Sequence, residues 1–140
     1  MAHLSRSVAT LRISGDDLSP DAITKILGCQ PTHGQIKGEV IVGKKTGRER
    51  IVKIGMWSLS ASDSEPENID AQVSEILAKL TDDLVAWKKL SEKHDIDLFC
   101  GLFMEASNEG LSISPATLNS LGARGIELAL DIYGPDEAEE

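Results

Sequence analysis

The stretch DLFCGLFME, residues 97–105, decides how the rest of the chain is read. Period-two alternation puts Leu98, Cys100 and Leu102 on one side and Phe99, Gly101 and Phe103 on the other, so this is a strand apolar on both faces. Such a strand is either covered twice or presents one face to something outside its own core. Downstream the chain breaks into small polar residues and restarts. LSIS predicts a short strand, SPATLNSLG a helix with Pro115 at its first position, and IELALDIY a last strand.

Upstream, VATLRIS alternates Ala9, Leu11 and Ile13 against Val8, Thr10, Arg12 and Ser14, a half-buried strand by period. In GDDLSPDAITKILG, Ser19 is the N-cap, Pro20 the first helical residue and Gly28 the stop of a short helix. CQPTHGQIKG reads as a loop, and EVIV and IVKIGMWSLSA as two strands joined by the basic connection GKKTGRER. From Ile69, the positions Val73, Ile76, Leu77, Leu80, Leu84, Trp87 and Leu90 keep three-four spacing and predict one helix of about six turns. Acidic residues at its start and Lys88, Lys89, Lys93 and His94 at its end match the helix dipole. Two Ser-Pro segments, at 19–28 and 114–122, echo each other weakly; a duplicated strand-helix unit is one reading, and the use of Ser-Pro as a common helix opening is the favoured one.

The order of these elements predicts an α+β fold. It is an antiparallel-rich mixed sheet with helices on one face, built as a split βαβ, ferredoxin-like core with a C-terminal αβ extension. One domain is expected across the 140 residues, with residues 1–7 and 135–140 as frayed tails. No apolar run approaches the roughly 20 residues a membrane span needs, and the N-terminal stretch has no signal-peptide pattern, so a cytoplasmic location is expected. Two cysteines, Cys29 and Cys100, are too few for a disulfide scaffold, and reduced thiols are expected.

The strings LRISGDDLSPDAITKILGCQPT, GMWSLS, DLFCGLF and GIELALDIYG, in this order and spacing, resemble a bacterial family of single-domain proteins, domain-of-unknown-function family 4279. The resemblance covers residues 8–134 or so. It implies a stand-alone bacterial α+β domain and brings no catalytic residues to this chain; the basic connection GKKTGRER looks like the variable part of the pattern.

The formal charge of −9 weighs against binding nucleic acid, whose affinity comes largely from cations neutralising phosphates. It favours a basic protein partner, by analogy of size and charge with small immunity or inhibitor proteins. The charge is uneven: residues 37–53 carry net +4, with Lys44, Lys45, Arg48 and Arg50 at their centre, which leaves −13 on the remainder. Those four residues form one candidate binding surface, whose ordinary alternative role is protecting a strand edge.

No catalytic set, metal site or cofactor motif emerges. Cys100 shares its side of the strand with Leu98 and Leu102, where cysteine acts as a small hydrophobe. Cys29, His33, His94 and Cys100 lack the paired close spacing of a zinc signature. Asp16, Asp17, Asp95, Asp97, Glu105 and Asp131 fall near strand ends without a metal-loop pattern, and SGDDLSP carries two carboxylates where a phosphate loop needs glycines.

Strand alternation then defines a second candidate surface. With the aliphatic sides under helices, Arg12, Phe99, Phe103, Glu127, Asp131 and Tyr133 face the other way, and Trp57 joins them if its strand is in the matching register. Arg12 is expected to pair with Asp131 or Glu127. The face is either covered by the basic hairpin, covered by a second copy in a homodimer, or a binding surface. The leading expectation is a non-catalytic cytoplasmic binding module. Its alternative is a small-ligand protein or enzyme in which Arg12 fixes an anionic group, Phe99 and Phe103 wall the pocket, and Asp131 or Glu127 is the polar partner or base.

Overall fold

The computed structural model describes residues 4–135. Its elements run β1 (Arg6–Gly15), α1 (Pro20–Leu27), β2 (His33–Gln35), β3 (Val40–Val42), β4 (Glu49–Ile51), β5 (Gly55–Ser60), α2 (Ile69–Leu77), α3 (Leu84–Lys93), β6 (Asp95–Phe103), α4 (Pro115–Ala123) and β7 (Glu127–Tyr133). The fold is α+β, with a mixed five-stranded sheet ordered β2-β5-β1-β6-β7 and a separate β3-β4 ribbon.

β1 lies at the centre of the sheet, antiparallel to both β5 and β6, while β7 runs parallel to β6. Since β5 and β6 both oppose β1, they are parallel to each other and form one split βαβ unit through α2 and α3. α1 joins β1 to β2, which flank β5 and, both being antiparallel to it, run parallel to each other, so β1-α1-β2 is a second split βαβ unit interlocked with the first. α4 makes the parallel crossover from β6 to β7, as the C-terminal αβ extension predicts.

One core lies between the sheet and the helices. Ala9, Leu11 and Ile13 of β1, Trp57 and Leu59 of β5, and Leu98, Cys100 and Leu102 of β6 meet Ile23, Leu27, Ile69, Val73, Ile76, Trp87, Leu90 and Leu121 of the helices. Both tryptophans are wholly buried with their N–H groups satisfied: Trp57 donates to Thr24 Oγ1 at 3.1 Å, and Trp87 to the Thr81 carbonyl at 2.8 Å. Gln72 and Ser7, also buried, complete a polar knot. Ser7 Oγ donates to Gln72 Oε1 at 2.6 Å, and Gln72 Nε2 donates to the carbonyls of Ser7 and Ser62 at 3.0 and 2.9 Å.

Several expectations change. The single long helix is two helices, because Thr81-Asp82-Asp83 diverts the backbone into side-chain bonds: Asp83 N–H donates to Thr81 Oγ1 at 3.2 Å, and Val85 N–H to Asp83 Oδ1 at 3.0 Å. Residues 4–7 are not a frayed end. Leu4 is buried, its N–H donates to the Gly110 carbonyl and its own carbonyl accepts from Glu67, and β1 starts at Arg6. Residues 1–3 and 136–140 of the two expected tails lie outside the described residues.

LSIS forms no strand; Leu111 and Ile113 pack against the core along an extended connection, and Ser114 N–H donates to Asp70 Oδ1. His33–Gln35, read as loop, adds a short edge strand to β5. The basic segment does form a hairpin, but its returning strand β4 is separate from β5.

Candidate functional site

Among the described residues, the five-stranded sheet keeps its second face free of helices. Register places Met56, Ser58 and Ser60 of β5, Arg6, Val8, Thr10, Arg12 and Ser14 of β1, Asp95, Asp97, Phe99, Gly101 and Phe103 of β6, and Glu127, Ala129, Asp131 and Tyr133 of β7 on that side. Phe99 and Phe103 are half-buried, and Tyr133 is 47 % exposed. The β3-β4 ribbon does not cover them, and it makes no extended contact with the main sheet.

The aromatic rings are held by cations. Arg6, Phe103 and Tyr133 are lateral neighbours across β1, β6 and β7. The Arg6 guanidinium lies 4.7 Å from the Phe103 centroid on one side, and the Tyr133 ring stacks at 4.8 Å and 6° on the other. Arg6 also meets Asp63 at 2.8 Å, and the Tyr133 hydroxyl donates to Asp131 Oδ2 at 2.6 Å. That bond, with the carboxylate charge beside it, raises the Tyr133 pKa. Toward the other end of β1, Arg12 stands 4.3 Å from the Phe99 centroid and forms a two-pronged pair with Asp97, Nε to Oδ1 at 2.8 Å and Nη2 to Oδ2 at 2.6 Å. Hydrogen bonding to Asp97 raises the Arg12 pKa against the opposing effect of burial.

Arg12 therefore pairs with Asp97 and not with the expected Asp131 or Glu127. The reason is strand order: β6 lies beside β1, and β7 is one strand further out. With both prongs of its guanidinium on Asp97, Arg12 is not poised to fix an anionic group, and the Asp131 carboxylate already accepts from Tyr133.

Of the residues assigned to this surface from sequence, Arg12, Phe99, Phe103, Glu127, Asp131 and Tyr133 share the free face. Trp57 does not. It sits opposite Ile13 and under α1, because the β5 register puts Met56, Ser58 and Ser60 outward. Arg6 was missed; it continues the Val8, Thr10, Arg12 alternation but falls in the stretch read as a tail. A shallow cleft of about 540 Å³ beside Arg12 is lined by Ser14, Met56, His94, Asp95, Asp97 and Glu127 among others.

Lys44, Lys45, Arg48 and Arg50 gather on the exposed ribbon, where Gly47 (φ 66°) makes the turn and Gly43 N–H bonds the Arg48 carbonyl at 2.8 Å. Val40, Val42 and Ile51 beside them are more than half exposed.

Other chemistry is placed as follows. Cys100 is buried on the helix side, and desolvation pushes its thiol up to about 11, the reverse of what a nucleophile requires. Among the described residues, no group of three or more His, Cys, Asp or Glu side chains is placed to hold a metal ion. A larger groove, about 1050 Å³, runs between α1 and α3 on the helix layer, flanked by Ile26 and Val85. His94 borders both depressions, with its ring packed so closely on Gly15 that a Cβ there would lie 2.5 Å from Nδ1.

A family model described as a domain of unknown function (DUF4279) matches residues 4–135. The chain belongs to that family. The match spans the whole sheet and all four helices, so the uncovered face of this DUF4279 member is part of the domain itself. No curated protein and no solved structure matches the chain. Among the described residues no helix is long and apolar enough to cross a membrane.

Proposed function

We propose that this chain is a non-catalytic binding module whose uncovered sheet face takes up a basic protein segment, chiefly through arginine side chains. What carries the reading is one coincidence: three aromatic rings and a surplus of carboxylates share a face that the described elements leave open. Arg6 and Arg12 stand against Asp95, Asp97, Glu127 and Asp131, with Asp63 and Glu65 at the rim. Both arginines are engaged by carboxylates, so the remaining field of the face is negative. Guanidinium groups already lie over Phe99 and Phe103, and the outer side of the Tyr133 ring offers a third such seat. In this reading the module works in a bacterial cytoplasm, in keeping with its two free cysteines.

Calorimetric titration with an arginine-rich peptide, a lysine-rich peptide of equal charge and an acidic peptide tests it. The expected order is arginine-rich above lysine-rich, no binding of the acidic peptide, and a decline as salt rises. Tyr133→Ser, which removes the ring seat that the chain's own arginines leave free, should reduce the preference for arginine. Absence of binding by either basic peptide at low salt would overturn the proposal.

A further inference from the structure

β7 is an edge strand whose outer side pairs with nothing among the described residues. Met104 N–H donates to the Tyr133 carbonyl at 3.0 Å, which fixes the backbone phase of the strand. Glu127, Ala129, Asp131 and Tyr133 direct their amide groups toward β6, and Leu128, Leu130 and Ile132 direct theirs outward. The same three residues place their side chains on the helix side, where Leu130 is 44 % and Ile132 58 % exposed. ELALDIY contains no proline, lysine or bulge, the usual devices that protect an edge.

We propose that this edge pairs with β7 of a second copy, antiparallel and centred on Leu130, joining the two sheets into one. In that register Leu130 meets Leu130 of the partner subunit and Leu128 meets the partner's Ile132, all through outward-pointing amides. On the open face Glu127 falls opposite the partner's Tyr133, and Asp131 opposite the partner's Ala129. Charge selects this register over its neighbours: centring on Ala129 sets Glu127 against the partner's Asp131, and centring on Asp131 sets that residue against itself. The pairing covers the exposed Leu130 and Ile132 side chains with their counterparts. It would also carry the open face across the seam, yet it does not rest on the binding reading above, and salt separates the two. Each copy carries −9, so dimerisation strengthens as salt rises, whereas binding of a basic segment weakens.

Sedimentation equilibrium over a range of protein and salt concentrations should show a monomer–dimer equilibrium that shifts toward dimer with salt. Leu130→Lys sets two ammonium groups opposite each other and should weaken dimerisation at least about tenfold with the circular dichroism of the monomer unchanged. In a Cys29→Ser background, Leu130→Cys should oxidise to a covalent dimer, because hydrogen-bonded antiparallel partners stand roughly 5.5 Å apart at Cα, within disulfide reach. Leu128→Cys should not, since its counterpart is Ile132. A monomer under all conditions, a dimer indifferent to Leu130→Lys, or equal crosslinking at 128 and 130 would overturn the proposal.

Discussion

The two faces of the central sheet use aromatic residues in opposite ways. Under the helices, Trp57 and Trp87 are wholly buried, and each spends its single polar group on an internal acceptor. On the other face Phe99, Phe103 and Tyr133 keep part of their rings in solvent and are held by stacking and by arginines. Strand β6 contributes to both, so its two apolar sides have two causes: one fills a core, and the other builds a stacked surface.

The comparison is tested most severely by truncation. Trp87→Ala should cost about 3–5 kcal/mol, a large share of the roughly 5–15 kcal/mol that holds a domain together, because it opens a cavity between α3 and the sheet. Phe99→Ser/Phe103→Ser should cost only about 1–2 kcal/mol in total, since half-buried rings remove less apolar surface from water and the space they leave opens to solvent. Urea unfolding of both variants checks the difference. Equal losses would mean that the face is covered in solution, and a concentration-dependent loss would name a second copy as the cover.

Much of this contrast was legible in the residues themselves. Alternation in VATLRIS and DLFCGLF correctly separated buried from outward residues, and Ser-Pro located the starts of α1 and α4; Gly28 ends α1 as read, whereas α4 runs through Gly122 to Ala123. What failed were features set by distant parts of the chain. Trp57 lies in a strand apolar on both sides, so only its pairing with Ile13 decides which way it faces. The apolar period ran through Leu80 and Leu84 unbroken, while local bonds from Thr81 and Asp83 split the helix beneath it. Asp97 was seen as an acidic strand residue, but its bond to Arg12 depended on strand order, which period cannot supply. Ser7 and Gln72 offered no recognisable pattern, since polar residues are identifiable as core only once their partners are placed.

The helix side should also respond to acid through one carboxylate on α2. Asp70 on α2 accepts from Thr117 Oγ1 at 2.6 Å and from Ser114 N–H at 3.0 Å, tying α2 to the start of α4. These bonds hold its carboxyl below the usual carboxylate pKa. A lowered native pKa contributes stability that is fully present above the unfolded-state value and lost as pH falls through the native one. Asp70→Asn should therefore lower stability at neutral pH and flatten its decline on acidification, as read from denaturant midpoints at successive pH values. An unchanged acid limb would remove Asp70 from the account of α4 docking.

The smallest expected effect isolates the open face alone, because the chain has a single tyrosine and it lies there. Tyr133 donates to Asp131, and removing its proton would leave two anions in contact, so its pKa lies above the ordinary phenol value. The sign follows from linkage: the bond contributes fully below the unfolded-state pKa and is lost as pH rises through the raised native one. Tyrosinate absorbance on alkaline titration reports this residue without interference from another tyrosine. Asp131→Asn removes the neighbouring charge and should bring the midpoint back toward about 10, with little change in melting temperature because the pair is solvent-exposed. A bound arginine-rich peptide should instead lower the wild-type midpoint, since a guanidinium seated on the Tyr133 ring beside Asp131 favours the phenolate. If the peptide binds and the midpoint stays where it was, the stacked end of the face is not its seat, and recognition belongs to the Arg12–Phe99 end.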